Sequence, residues 1–476
     1  MNLSSDTCYE ALIARDLRFD GLFFVGVATT GIYCRAICPA RTPRRDSCAF
    51  FPSAAAAERA GFRPCLRCRP ELAPGNARVD SVGRLAAAAA SRIEDGALTD
   101  LKLRELAAEL GVKERHLRRV VKSEFGVSPV ELAQTHRLLL AKRLLAETDL
   151  PMADVAHASG FSSVRRFNAL FNERYRLKPL DVRRRRGVSA PSGSLACALA
   201  YRPPLDWDSL VGFLIGRASA GVEALDGDRY VRAVSLAGCR GWVCVSHLPQ
   251  QCALRVEIAS DLAPALLPLF GRLKRLFDLS ADPGRIAAHL GALALARPGL
   301  RVPGAFDGFD LALRAVLGQR VSVKAATTLA GRFVRAFGEP IDTPFAGVTR
   351  LPATPERVAS AEVEEIVSLG IVRSRAEAIL ALAREVAAGR LRIEPGGDPE
   401  RTMAQLRSLP GIGEWTAHYV AMRALAWPDA FPHTDLGLLR GLGETSARRL
   451  LERAEAWRPW RAYAAMHIWR SLEERG

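Results

Sequence analysis

The sequence predicts a multidomain, mainly α protein with α+β parts, and three observations predict it. At 476 residues the chain exceeds the ~100–200 residues of a single domain. Close cysteine pairs sit near its start. Strand-like alternation is confined to about residues 195–282, whereas the remainder is rich in Ala, Leu and Arg at helical spacing. In order, the expected parts are a small zinc-bound α+β domain over 1–78, two helix-turn-helix units over 79–187, a small α+β domain over 195–282 and an all-helical helix-hairpin-helix domain over 283–476. The stretch 187–194, Gly-Val-Ser-Ala-Pro-Ser-Gly-Ser, reads as a flexible linker.

Hydrophobic residues at 49% and charged residues at 25% are near globular averages, which excludes a largely disordered or fibrous chain. No apolar run reaches the ~18 residues of a membrane span. The opening Met1–Glu10 carries no basic-then-apolar leader pattern. A cytoplasmic, nucleoid-associated monomer with no membrane partner is expected. Lys and Arg number 67 against 51 Asp and Glu, a formal charge of +16. Residues 1–190 hold 32 of the basic and 21 of the acidic residues, so a polyanion is the expected partner and the front half should grip it harder.

In the first block, Cys34-x3-Cys38 and Cys65-x2-Cys68 lie 26 residues apart, a spacing that lets two knuckles close a tetrahedral zinc site. Cys8, Cys48, Cys197, Cys239, Cys244 and Cys252 have no partner at ligand spacing and read as small apolar residues. Arg35, Arg41, Arg44 and Arg45 are candidate phosphate contacts.

The second block repeats a pattern. Leu103, Leu106, Ala107 and Leu110 form an apolar stripe broken by Gly111. A second helix follows with Leu117, Val120 and Val121 on one face and Lys113, Arg115, Arg118, Arg119 and Lys122 on the other. About 49 residues on, Val155, Ala156 and Ala158 precede Gly160. Ser162 is the expected cap of a helix that buries Val164, Phe167 and Phe171 and exposes Arg165, Arg166 and Asn168. Ser128-Pro129-Val130-Glu131 supplies a capping box and an N1 proline for the helix between the units. Two such units one rigid helix apart suit successive major grooves on one face of DNA.

In the third block, Leu195, Cys197, Leu199 and Tyr201 alternate, as do Leu254, Val256 and Ile258. Arg229–Ser235 and Gly241–Ser246 read as a hairpin around Ala237-Gly238. In the fourth, Leu409-Pro-Gly-Ile-Gly-Glu-Trp-Thr-Ala417 places Gly411 and Gly413 between two helices, where bare backbone N–H groups meet a phosphate. Asp435 follows Gly413 by 22 residues. Alone it reads as a helix cap; its separation from the hairpin resembles that of helix-hairpin-helix glycosylases, which implies a catalytic carboxylate.

Three resemblances sharpen these readings. Residues 25–41 and 60–70, Val-Gly-Val-Ala-Thr-Thr-Gly-Ile-Tyr-Cys-Arg-Ala-Ile-Cys-Pro-Ala-Arg and Ala-Gly-Phe-Arg-Pro-Cys-Leu-Arg-Cys-Arg-Pro, resemble the N-terminal domain of the Ada-type methyl-responsive regulators. That likeness implies that zinc-bound Cys34 accepts a methyl group from a DNA phosphotriester while Cys38, Cys65 and Cys68 complete the site. No Pro-Cys-His-Arg stretch occurs, so direct repair of O6-alkylguanine is not expected. Ala156-His-Ala-Ser-Gly-Phe161, with Phe167 and Phe171, resembles the DNA-binding domain of AraC-type activators; if the chain activates transcription, RNA polymerase is a further expected partner.

Residues 195–470 resemble the AlkA-type alkylbase glycosylases through Pro204–Asp208, Leu276–Leu279, Ala296–Arg301, Leu317–Ser322 and Trp457–Arg461. This implies a TBP-like fold for the third block and catalysis by Asp435. It also implies a pocket of Trp415, Tyr419, Trp469 and Phe213, and a monovalent cation on the carbonyls of Arg407, Leu409 and Ile412. Arg320 stands where that family has an intercalating leucine. Trp457 and Trp460 read as core. Bifunctional relatives have a lysine at the position of Trp415, so base removal without strand cleavage is expected. With no cysteine after Cys252, no iron–sulfur cluster is expected. The resulting expectation is a monofunctional 3-methyladenine-type glycosylase fused to a methyl-accepting DNA-binding regulator. The alternatives are an activator whose glycosylase half only binds DNA, and a glycosylase whose front half is a damage-independent tether.

Overall fold

A computed structural model describes residues 3–74, 84–183 and 194–473. The expected linker lies outside these residues apart from Ser194. Two compact units are present: Met1–Pro203 with His247–Lys274 and Leu279–Asp282, and Pro204–Ser246 with Arg275–Asp278 and Pro283–Gly476. Among the described residues no helix is long and apolar enough to cross a membrane.

The first unit begins with a four-stranded sheet in the order β3-β1-β2-β4, where β1 is Phe24–Val27, β2 Ile32–Arg35, β3 Cys48–Phe51 and β4 Arg63–Pro64. β1 runs antiparallel to β2 and β3, and β2 is parallel to β4. Gly26 sits between rings: a Cβ there would lie 2.8 Å from Phe51 and 2.9 Å from Phe62, so only glycine fits. The helix Ser5–Ala14 covers the sheet with a small core of Cys8, Ala11, Leu12, Phe23, Val25 and Ala36.

The helices Leu103–Glu109 and Glu114–Phe125 form the first helix-turn-helix, and Met152–Ala158 and Val164–Tyr175 the second. Gly111 and Gly160 turn the chain with φ of +71° and +79°. Pro129–Glu147 joins the units and starts with the expected capping box: Glu131 N–H donates to Ser128 Oγ (3.3 Å), and Ser128 N–H to Glu131 Oε2 (2.8 Å). One cap differs from expectation. Ser163, not Ser162, accepts the Arg166 N–H at 3.2 Å, because the helix starts at Val164 and only the residue immediately before it reaches that amide. Phe161 tilts against Phe167, and Phe167, Phe171 and Tyr175 pack edge to face down the second helix-turn-helix. In the same compact unit, β5 (Ser194–Ala200) pairs antiparallel with β9 (Ala253–Ala259), with Cys197 opposite Val256, and their alternate side chains are buried as the periodicity predicts.

In the second unit β6 (Glu223–Asp226), β7 (Arg229–Leu236) and β8 (Cys239–Leu248) form an antiparallel meander. Ala237 and Gly238 close the expected hairpin with φ of +50° and +77°, the signs of the two-residue turn that matches strand twist. β6 has no sequence alternation strong enough to announce it. What fixes it is charge: buried Glu223 takes Arg232 and Arg314 as partners, and Arg314 also holds Asp310 at 2.9 Å. Buried carboxylates persist only when so compensated. Beyond residue 283 the unit is helical.

Candidate active sites and DNA-binding surface

The hairpin comes from two helices, Pro399–Arg407 and Glu414–Arg423, joined by a turn in which Gly411 has φ of +75° and Gly413 caps the second helix with extended backbone. Both glycines are exposed, and nothing lies within 4 Å of where a Gly413 Cβ would stand. The first amides of a ten-residue helix are therefore open to an anion.

Three side chains of that helix, Trp415, Tyr419 and Arg423, recur every four residues and share one face. The Trp415 indole stacks on the Tyr419 ring at 5.0 Å and 11°, and Trp469, from the helix Arg461–Glu473, leans on Tyr419 at 6.3 Å and 57°. Both indoles converge on one carboxylate. Trp415 Nε1–H donates to Asp435 Oδ2 at 2.8 Å and Trp469 Nε1–H to Oδ1 at 2.9 Å. Asp435 also caps the helix Leu436–Leu442, accepting Leu438 N–H on Oδ1 at 2.8 Å. Cap and site are thus the same group. It is half-buried and, among the described residues, forms no ion pair.

Phe213 is buried at 6% exposure on the helix Trp207–Ile215, and guanidinium groups cover it: Arg217 Cζ lies 3.7 Å and Arg423 Cζ 5.0 Å from its ring centre. Arg320 stands exposed with φ of +52° between the helices Gly308–Leu317 and Val323–Phe337, beside exposed Val321. Left-handed backbone is costly for a non-glycine residue and persists where its surroundings hold it. Here Gln319 supplies the hold, as its side chain bonds the hairpin and its carbonyl accepts from Arg375. Trp460 is core at 5% exposure; Trp457 is half-buried against Phe431.

Strand β2 delivers Cys34, the turn after it Cys38, and the knuckle after β4 Cys65 and Cys68. The four sulfurs lie within 4.8 Å of one another. Tetrahedral Zn–S bonds of about 2.3 Å place sulfurs about 3.8 Å apart, so this donor set fits zinc with little adjustment. Backbone N–H groups of Arg35 and Arg67 donate to Cys68 and Cys65 sulfurs, each at 3.4 Å. The thiols interact strongly: hydrogen bonding with Cys38 drives the Cys34 proton affinity up, and Cys34 in turn lowers Cys38 to about 7. Cys34 is half-buried, whereas Cys38, Cys65 and Cys68 are buried. One expected phosphate contact is corrected. Arg35 is buried at 7% exposure, ion-paired to Asp20 and bonded to the Cys68 carbonyl at 3.1 Å, so it braces the cluster instead of facing solvent. Arg41 and Arg44 are exposed, while Arg45 packs over Tyr9 and Phe50. Of the other cysteines, Cys8, Cys197 and Cys244 are buried and Cys48, Cys239 and Cys252 half-buried.

On the helix-turn-helix units, Arg115, Arg118, Arg119, Arg165, Arg166 and Asn168 are all exposed, opposite buried Leu117, Val121, Phe167 and Phe171. Arg118 is engaged by Glu114 (2.6 Å) and Arg119 by His116 (2.9 Å).

Four families match the chain: the metal binding domain of Ada over residues 7–71, a helix-turn-helix domain over 106–185, the AlkA N-terminal domain over 196–307, and the HhH-GPD superfamily of base excision DNA repair proteins over 313–459. The probable bifunctional transcriptional activator/DNA repair enzyme AlkA of Mycobacterium tuberculosis is 38% identical over 98% of this chain and 96% of its own length. The chain belongs to this family of bifunctional activator and DNA repair enzymes. DNA-3-methyladenine glycosylase 2 of Escherichia coli, 36% identical, aligns with 57% of the chain and 95% of its own length. The fold of a 3-methyladenine DNA-glycosylase from Archaeoglobus fulgidus covers 58% of this chain and 98% of its own, with a TM-score of 0.51 at 23% identity. All four clustered cysteines fall inside the Ada match, and Trp415, Tyr419 and Asp435 inside the HhH-GPD match; Trp469 lies beyond it.

Within this family member, sequence reasoning missed Gln319 and Arg423. Gln319 lies within the Leu317–Ser322 stretch, but its partners are 92 and 97 residues away, so its tie to the hairpin has no local signal. Arg423 did: it continues the four-residue stripe of Trp415 and Tyr419.

Proposed function

We propose that this protein removes alkylated bases, of the 3-methyladenine type, from double-stranded DNA and couples DNA methylation damage to transcription. The observation that carries the excision reading is the convergence of two indole N–H groups on opposite oxygens of Asp435. They fix the carboxylate beside three aromatic faces. A ring-alkylated purine is cationic, and such faces attract cations by ~0.5–2 kcal/mol. Once the base is flipped out of the duplex, the C1′–N bond breaks with its electron pair on the base, and the Asp435 carboxylate stabilises the positive sugar that water then attacks. Trp415 offers no amine, so the strand stays intact. The exposed Gly411–Gly413 amides hold a backbone phosphate, and the carbonyls of Arg407, Leu409 and Ile412 would hold a monovalent cation that adds positive charge beside it.

At the other site zinc supplies a thiolate at neutral pH. Cys34, the acceptor that the Ada likeness implies, attacks the methyl carbon of a phosphotriester; the S–C bond forms as the C–O bond breaks, and the electron pair stays on the phosphate. The helices Glu114–Phe125 and Val164–Tyr175 enter major grooves through Arg115, Arg118, Arg119, Arg165, Arg166 and Asn168. Loss of a negative charge at the sulfur cluster strengthens that grip and recruits RNA polymerase in the cytoplasm.

The test is release of 3-methyladenine from methylated DNA by the wild type and Asp435→Asn. Asparagine keeps the helix cap but not the charge, so the variant should stay folded and lose at least about a hundredfold in rate. Equal rates would overturn the assignment of Asp435, and no release by the wild type would favour a DNA-binding role for this half.

A further inference from the structure

The short helix Ala54–Arg59 of the zinc-binding block meets the ends of both helices that carry the exposed arginines, and neither chemistry above uses it. An α-helix leaves its last four carbonyls without partners of its own. For Glu114–Phe125 the zinc-binding block supplies donors: Ser53 Oγ–H donates to the Phe125 carbonyl at 2.8 Å, and Arg59 Nη1–H to the Gly126 carbonyl at 3.2 Å. The Ser53 hydroxyl also accepts Ala56 N–H at 3.0 Å, so one group caps its own helix and holds the end of another. Ala55 completes the fit, buried in one core with Val121 and Phe125.

The second helix ends on the same element. Glu58, buried at 5% exposure, accepts Tyr33 Oη–H on Oε1 at 3.0 Å and Thr135 Oγ1–H on Oε2 at 2.9 Å. Tyr33 adjoins Cys34 on β2, and Thr135 belongs to the helix that joins the two units. Tyr175, the last residue of Val164–Tyr175, is buried beside the same carboxylate: burial and then the Glu58 charge push its phenol well above the ordinary range. Among the described residues its hydroxyl closes no hydrogen bond. That helix also packs on β4, the strand that leads into Cys65. After the knuckle, Lys142 pairs with Glu71 at 2.5 Å and Arg69 with Glu147 at 2.7 Å. Such buried pairs add little net stability, but parting them leaves charges buried alone, so they select one docking arrangement.

A connecting helix is enough to join two helix-turn-helix units, and these ties to a third block are not needed for that. Reading base edges asks for more, since a binding constellation must be held to within about 0.5 Å. We propose that Glu58 and Ser53 are positioning residues for base reading: they fix the ends of both recognition helices, so discrimination between DNA sequences depends on two buried side chains of the zinc-binding block. The inference rests on the reading of Glu114–Phe125 and Val164–Tyr175 as major-groove helices.

The test titrates the full chain with two duplexes of equal length, one carrying the sequence that the wild type selects from random DNA and one scrambled. It compares wild type, Glu58→Ala, Glu58→Gln, Thr135→Val and Ser53→Ala. The ratio of the two affinities should fall at least about tenfold in Glu58→Ala and about threefold in Thr135→Val and Ser53→Ala, while affinity for scrambled DNA, set by phosphate charge, holds. Glu58→Gln should keep the ratio within about twofold, since its amide still accepts from one hydroxyl and donates to the other. A variant that is merely less stable gives fewer binding molecules at an unchanged ratio. That result, or a Glu58→Gln loss as large as that of Glu58→Ala, would overturn the inference. A wild type that selects no sequence defeats the reading of these helices as major-groove readers itself.

Discussion

Gln319 Nε2 donates to both the Gly411 carbonyl and Thr416 Oγ1, each at 2.9 Å. One amide thereby ties the turn that bears Arg320 to the hairpin that presents Gly411 and Gly413, so the two turns keep a fixed spacing. Replacing Gln319 by Leu removes both bonds while preserving the stem. Affinity for duplex DNA bearing an abasic analogue should fall about five- to tenfold, roughly the worth of one to two hydrogen bonds. A fluorescence-anisotropy titration reads this directly, and unchanged affinity would show that the tie does not position the turn.

Glu58 predicts a pH effect on stability. Burial pushes its carboxyl up from about 4.5 to about 7, although Thr135 and Tyr33 donate to it. The folded state therefore favours the protonated form more than the unfolded chain does. That contribution is complete below the unfolded value and is lost as pH rises through about 7. Relative to Glu58→Gln, the wild type should lose on the order of 3 kcal/mol between about pH 4.5 and about pH 8. Thermal melting of the two proteins across that range checks it: the gap should widen with pH in favour of the glutamine variant, and a constant gap would refute the assignment.

The zinc cluster predicts a division of labour among cysteines. Ser substitutions at Cys38, Cys65 or Cys68 should abolish metal retention after dialysis and lower the melting temperature, because so small a core depends on its metal. After exposure to methylated DNA, mass spectrometry should find a methyl adduct on Cys34 and on none of the other three. An adduct elsewhere, or none, would displace Cys34 as acceptor.

Among the exposed helix-turn-helix arginines, Arg118 is already held by Glu114 at 2.6 Å, whereas Arg115 forms no side-chain ion pair among the described residues. Arg115→Ala should weaken operator binding by about 1–3 kcal/mol if it reads a base, and Arg118→Ala by less. Binding isotherms at two salt concentrations separate the outcomes; equal losses would mean that the Glu114 pair opens on DNA.

The zinc ligands, the helix-turn-helix repeat, the Ala237-Gly238 hairpin and the Gly411–Gly413 turn were all legible, because each depends on residues close in sequence or on fixed ligand spacing. The cap at Ser163 was misplaced by one residue, since Ser162 and Ser163 have equal capping chemistry and only the helix start distinguishes them. Arg35, a candidate phosphate contact by sequence, is instead buried and ion-paired. Its partner, Asp20, lies 15 residues away and belongs to no motif.

By itself the sequence determined which chemistry the chain can perform: four thiols for one zinc, a bare-glycine hairpin for phosphate, and a carboxylate downstream of it. Only the tertiary structure decided how that carboxylate is held. Local spacing sets the backbone of each element, but the two indoles that orient Asp435 come from positions 20 and 34 residues away. Hydrogen bonds between elements depend on how helices pack, and no periodicity within one helix encodes the direction of a side chain on another.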